Sequence, residues 1–148
     1  MSNCAKENFY GSMYQYDEST VVLISAADTF TIIGGFTGGS SRGFTFQNGQ
    51  ELFCDKPGRY EVNWGISFND GNNTSWKIAV FLNGVLQEQT GAFRRIAGGG
   101  DIGNVGGVGF LDLKVGDVVD VRIANIFTTD NAIIDAGNLT LVRVGKER

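Results

Sequence analysis

The side chains best suited to chemistry in this 148-residue chain are oxygen ligands in glycine- and asparagine-rich loops. Asp70, with Asn72 and Asn73, lies in NDGNNTS; Asp101 follows AGGG; Asp130 and Asn131 sit in TTDNA. Loop carboxylates and carbonyls suit calcium, which makes Asp70, Asp101 and Asp130 the candidate ligands. The same residue types are also the usual occupants of tight turns, and their spacing matches no known calcium loop. Carboxylate pairs stand at Asp17-Glu18 and at Asp117 with Asp120, yet nothing marks either as a glycosidase pair. Histidine is absent. That removes the common general base, the Ser-His and Cys-His nucleophile pairs and imidazole metal sites. Gly98-Gly99-Gly100-Asp101 lacks both the Gly-Lys-Ser/Thr ending and the following helix of a phosphate loop. The expectation is a non-enzyme without a cofactor.

Cys4 and Cys54 are too few for a disulfide framework; they could form one bridge or remain two thiols. Lys and Arg number 12 against 16 Asp and Glu, and the net charge of −4 is spread along the chain. Nucleic-acid binders need clustered basic residues, so no such partner is expected. The start, MSNCAKENFYGS, has neither the basic nor the apolar region of a secretory signal. No apolar run approaches the ~20 residues of a membrane span, so membrane insertion is not expected either.

The elements that must carry these loops are strands. In GRYEVNWGISFN, Tyr60, Val62, Trp64, Ile66 and Phe68 fall on one face, the period-two pattern of a strand packed on a core. SWKIAVFLNG repeats it with Trp76, Ile78, Val80 and Leu82 and ends at Asn83-Gly84, a hairpin-turn pair. Further strands are expected at Thr20–Ala26, Thr29–Ile33, Gly43–Phe46, Glu51–Cys54, Ala92–Ile96, Asn104–Leu113, Val118–Asn125, Ala132–Ile134 and Leu139–Val144. Leu111 and Leu113 point inward, Lys114–Asp117 turns the chain, and Val119, Val121 and Ile123 return to the same core. The chain reads as all-β: a two-sheet antiparallel sandwich of about ten strands. Residues 20–148 form the expected domain. Residues 1–19 form an N-terminal arm in which Phe9, Tyr10, Tyr14 and Tyr16 cluster.

Two motifs carry a resemblance. Gly58-Arg59-Tyr60 opens a central strand, and Leu111-Asp112-Leu113-Lys114-Val115-Gly116-Asp117-Val118-Val119 comes late, followed by the apolar Leu139–Val144. In order and spacing the region from Thr20 to Val144 resembles the C1q/tumour-necrosis-factor-like jelly roll. Asn138-Leu139-Thr140 stands where that family often has Phe-x-Gly, and no Gly-X-Y repeat precedes the domain in this sequence. The glycine-, serine- and asparagine-rich loops look most like the bacteriophage members, which serve as capsid decorations or fibre heads. The resemblance implies a non-enzymatic homotrimer at the virion surface, assembled in the host cytoplasm and held to virion proteins or a host-surface ligand. The alternative is a soluble, extracellular C1q-like module that recognises carbohydrate or protein.

The resemblance also implies which residues meet. With Leu111 and Leu113 inward, Val108 and Phe110 must leave the opposite face of their strand. In the family that face packs around a three-fold axis. Val108, Phe110 and Val142 would supply apolar contact there and Asn63 and Thr140 hydrogen bonds, while Gly106, Gly107 and Gly109 would let backbones approach. Phe9, Tyr10 and Tyr14 are expected against a neighbouring subunit or the outside of their own sandwich.

Overall fold

The computed structural model describes residues 8–70, 72–98 and 100–146; Cys4 and Gly99 lie outside the described residues. Its strands are β1 (Tyr10–Val22), β2 (Thr31–Ile32), β3 (Thr37–Gly38), β4 (Phe44–Gln47), β5 (Glu51–Cys54) and β6 (Gly58–Asn69). They continue with β7 (Thr74–Leu82), β8 (Val85–Leu86), β9 (Ala92–Ile96), β10 (Gly103–Leu113), β11 (Val118–Asn125) and β12 (Ala132–Gly145). One sheet has five strands in the order β10-β6-β12-β1-β3. The other has seven, β4-β5-β11-β7-β8, with β2 also paired to β11 and β9 to β7. Every pairing is antiparallel. The only helical turn among the described residues is the 3-10 segment Glu88–Thr90. The architecture is the expected two-sheet jelly-roll sandwich.

The core lies between the sheets. Tyr60, Val62, Trp64, Ile66 and Phe68 of β6 are buried, as are Trp76, Ile78 and Val80 of β7 and Val119, Val121 and Ile123 of β11. Edge-to-face ring pairs knit the two layers: Phe68 on Trp76 at 5.5 Å and Phe44 on Tyr60 at 4.9 Å. The Tyr60 hydroxyl donates to the Lys56 carbonyl at 2.7 Å. Burial, reinforced by Cys54, pushes this phenol up to about 12 against the opposing pull of Arg143. The turn between β10 and β11 does what its residue types suggest. Gly116 takes φ +95°, and the Asp117 carboxylate accepts from the Lys114 amide at 2.8 Å and from Asn83 Nδ2 at 3.0 Å. Asn83-Gly84 adopts φ of +50° and +78° in the β7–β8 hairpin.

The two-residue strands β3 and β8 add to the expected set, and Thr29–Ile33 shortens to Thr31–Ile32. Two larger differences share one reason. Among the described residues the first strand does not start at Thr20: β1 begins at Tyr10, inside the expected arm, and pairs with β12 from Tyr10↔Val142 onward. Gly11, Met13 and Gln15 face inward, and the register then shifts between Tyr16 and Thr20, where Asp17 and Ser19 have φ of +58° and +51°. Beyond the bulge the buried positions are Val22 and Ile24, so the alternation has changed phase. Likewise, Ala132–Ile134 and Leu139–Val144 are one strand, β12, with a register shift between Ile134 and Ala136.

Candidate functional site

Pairing registers place the outward side chains of the five-stranded sheet in transverse rows. Phe110, Glu61, Val142 and Tyr10 lie side by side across β10, β6, β12 and β1. The next row is Val108, Asn63, Thr140 and Ser12; then come Gly106, Gly65, Asn138 and Tyr14; then Asn104, Ser67, Ala136 and Tyr16. Val108 is 57% exposed, Phe110 55%, Tyr14 49%, Tyr16 78% and Val142 40%. The structure thus brings together two groups the sequence treated separately: Asn63, Val108, Phe110, Thr140 and Val142 on one hand, Tyr10 and Tyr14 on the other. Asn63 Nδ2 donates to Glu61 Oε2 at 3.1 Å, which ties down one carboxylate of the face. Arg59 and Asp112 pair at 2.9 Å beside Phe110.

Phe9 does not join this face. It packs partly against the core, with Arg143, Lys56 and Arg42 at 5.5, 5.7 and 5.9 Å from its ring centroid. Two of the expected glycines also serve another purpose. A Cβ on Gly107 would strike the Thr90 carbonyl oxygen and come within 2.6 Å of Trp64 Nε1; one on Gly109 would meet the Thr90 methyl at 3.0 Å. Both face the 3-10 turn, where Trp64 Nε1 donates to Thr90 O at 2.8 Å and Thr90 Oγ1 accepts from the Val80 amide at 2.9 Å. Their freedom from side chains admits this turn beside β10 rather than a neighbouring subunit. Sequence gave no sign of the turn, because three residues hold no period. Gly106 alone of the three lies on the outward face.

The opposite sheet covers part of its own exterior, leaving Val85, Leu86 and Phe93 exposed. Phe30 stacks edge-on against Phe81 at 4.9 Å, and Arg122 lies 4.7 Å from the same ring. Arg122 also makes two hydrogen bonds, of 2.9 and 3.2 Å, to the buried Asp120. Burial raises this carboxyl, while Arg122 pulls it back down. The polar pair is satisfied within the chain, its guanidinium over the Phe81 ring.

The calcium candidates are each occupied locally. Asp70 accepts from the Asn72 amide at 2.7 Å and from Trp76 Nε1 at 2.8 Å. Asp101 accepts from the Ala97 amide at 2.8 Å, and Asp130 from Thr128 Oγ1 at 3.1 Å. Among the described residues no group of three or more Cys, Asp or Glu side chains gathers where a metal could sit. These carboxylates close their own turns. Cys54 is buried in the core, with Sγ 3.1 Å from the Lys56 carbonyl oxygen.

No family model matches the chain, and no curated protein matches it in sequence. Its fold does match solved structures. Eiger TNF from S. frugiperda superposes with a TM-score of 0.65 at 15% identity, covering 96% of each chain. Murine APRIL superposes with a TM-score of 0.62 at 15% identity, covering 93% of this chain and all of that one. By fold, this protein is similar to TNF-type jelly rolls along nearly its whole length.

Proposed function

We propose that the protein is a non-enzymatic jelly-roll subunit that assembles as a homotrimer through the outer face of its five-stranded sheet. The carrying observation is the run of exposed aromatic and apolar side chains across adjoining rows of the five-stranded sheet. On the seven-stranded sheet Phe30 and Arg122 cover Phe81, and the exposed Val85, Leu86 and Phe93 lie on the short strands β8 and β9. The five-stranded sheet instead holds Tyr10, Tyr14, Val108, Phe110 and Val142 across adjoining rows of its long strands, open to solvent. Apolar side chains concentrated on one face mark an association surface. The TNF-like fold supports a closed ring of copies, because jelly rolls of this kind are often trimeric. We further propose that the trimer is a bacteriophage surface component, a capsid decoration or fibre head, bound to virion proteins or to a host ligand. The glycine-, serine- and asparagine-rich loops in GGFTGGSSRG and NDGNNTS support that placement.

Analytical ultracentrifugation tests the assembly: the expected species has the mass of three chains at micromolar concentration, and a stable monomer overturns the reading. Mass spectrometry of particles purified from the host tests the location. Its absence from particles, together with binding of the trimer to a glycan or protein ligand, would favour the recognition-module reading instead.

A further inference from the structure

Gly65 has no explanation within its own subunit. It sits in the middle of β6, the central strand that pairs with both β10 and β12, and its φ is not in the left-handed region. A Cβ built there would meet nothing closer than Asn138 Nδ2 at 3.8 Å, an ordinary contact. The neighbouring glycines differ: a Cβ on Gly106 would stand 2.8 Å from the Trp64 carbonyl oxygen, and one on Gly137 would stand 2.7 Å from Ile66 Cδ1. Glycine weakens a strand interior, and where neither turn nor bulge requires it, it marks the close approach of another group. That group must come from outside, because Gly65 points away from the core.

Without a side chain at Gly65 the outer face has a shallow hollow, bordered by Gly65, Gly106, Ser67, Asn104 and Asn138. Tyr14 stands in the same row on β1, half exposed, and does not line the hollow of its own chain. We propose that Tyr14 of one copy seats in the Gly65–Gly106 hollow of the next. The proposal rests on the self-association reading above and names the contact that closes the ring. A cyclic assembly joins two different patches of one chain, so a projection must meet a recess elsewhere on the same surface. Rotation about an axis leaves height along that axis unchanged. With the strands running along the axis, each transverse row of one copy meets the same row of the next. β10 is the edge strand on one side of β6 and β12, and β1 lies on the other side. One rotation therefore brings Tyr14 to the hollow, Tyr10 to Phe110 and Ser12 to Val108. The rim is polar: Ser67 Oγ and Asn104 Oδ1 are 2.5 Å apart, and Asn138 lies beside them. A tyrosine suits such a recess, with a ring to fill it and a hydroxyl to reach its edge. Four strands ~4.8 Å apart and four rows ~7 Å apart give roughly 500 Å² of flat area, more once side chains project, approaching the ~800 Å² per partner of a stable interface.

The test uses Gly65→Val, Tyr14→Ala and the pair, each followed by ultracentrifugation over a dilution series and by thermal melting. Gly65→Val has room in the subunit and favours strand, so the melting temperature of the dilute monomer should not fall. The concentration for half-assembly should rise at least tenfold in each single variant. The double variant should be no worse than the worse single one, because both remove one contact. Independently, p-benzoylphenylalanine in place of Tyr14, in mixed labelled and unlabelled protein, should crosslink between copies onto peptides of β6 or β10. Wild-type trimers whose half-assembly is unmoved by Gly65→Val, or crosslinks falling only on other strands, overturn the Tyr14 contact and leave the trimer standing. A monomeric wild type overturns both.

Discussion

Replacing Phe110 by alanine measures how much the exposed face contributes to assembly. A phenylalanine presents ~200 Å² in an extended chain. Because Phe110 is 55% exposed in the subunit, only about 110 Å² of that remains for a partner to cover. Alanine would retain some of it, so the substitution removes roughly 80 Å², or about 2 kcal/mol per copy at ~25 cal/mol per Å². Three copies lose about 6 kcal/mol per trimer, about four decades in the dissociation constant at ~1.4 kcal/mol each. Half-assembly of a trimer varies with the square root of that constant, so its concentration should rise about a hundredfold. The subunit itself should lose only about 1 kcal/mol, since the side chain is more than half in water already. Sedimentation velocity across a dilution series reads the first effect and urea titration of the monomer the second. Phe93→Ala, which removes a 73% exposed ring from the other sheet, should leave assembly unchanged. The reasoning is refuted if Phe110→Ala moves the half-assembly point by less than threefold, or if Phe93→Ala moves it as far.

Gly107→Ala should destabilise the subunit by about 1–3 kcal/mol or more in urea titration, because the new methyl collides with the Thr90 carbonyl and with Trp64 Nε1. Deleting residues 1–16 should prevent folding, seen as loss of the β-sheet circular dichroism signal: Met13 is buried, its side chain alone is worth about 2–5 kcal/mol, and half of β1 goes with it. Tyr60 sets an alkaline limit. Its folded pKa, about 12, exceeds its ordinary value of 10.0. Between these the unfolded chain releases a proton that the folded one keeps, so stability is complete below about pH 10 and falls toward pH 12 by up to ~1.4 kcal/mol per unit. Tyr60→Phe should remove that slope in urea titrations run across the window, whatever its effect at neutral pH.

The two shifted boundaries show what a periodic reading of sequence can resolve. In β10 the alternation never slips: Gly107, Gly109, Leu111 and Leu113 face inward, with Val108 and Phe110 between them facing outward. A strand with one phase throughout is recognised whole. In β1 and just beyond it the buried set runs through Met13 and Gln15 and then jumps to Val22 and Ile24. In β12 it runs through Ala132 and Ile134 and then Leu139 and Leu141. Each jump sits at a register shift, and a pattern matched residue by residue breaks there into a strand and an arm, or into two strands. The error came from the local rule and not from any weakness in the hydrophobic signal.

The resemblance groups Asn63, Val108, Phe110, Thr140 and Val142, but that Tyr10 and Tyr14 adjoin them was hidden for a different reason. Alternation along each strand shows that Tyr10, Glu61, Phe110 and Val142 point away from the core, but not that they are neighbours. That follows only from registers joining residues far apart in the chain, Tyr10↔Val142, Val142↔Glu61 and Glu61↔Phe110. The same registers separate glycines that look alike in sequence. Gly107 and Gly109 admit the Glu88–Thr90 turn, Gly106 spares a carbonyl of β6, and Gly65 spares nothing in its own subunit. Composition counts all of them as loop-like freedom. Pairing and packing show that Gly106, Gly107 and Gly109 are requirements of one folded chain, while Gly65, at the centre of the sheet, meets no such requirement in its own subunit.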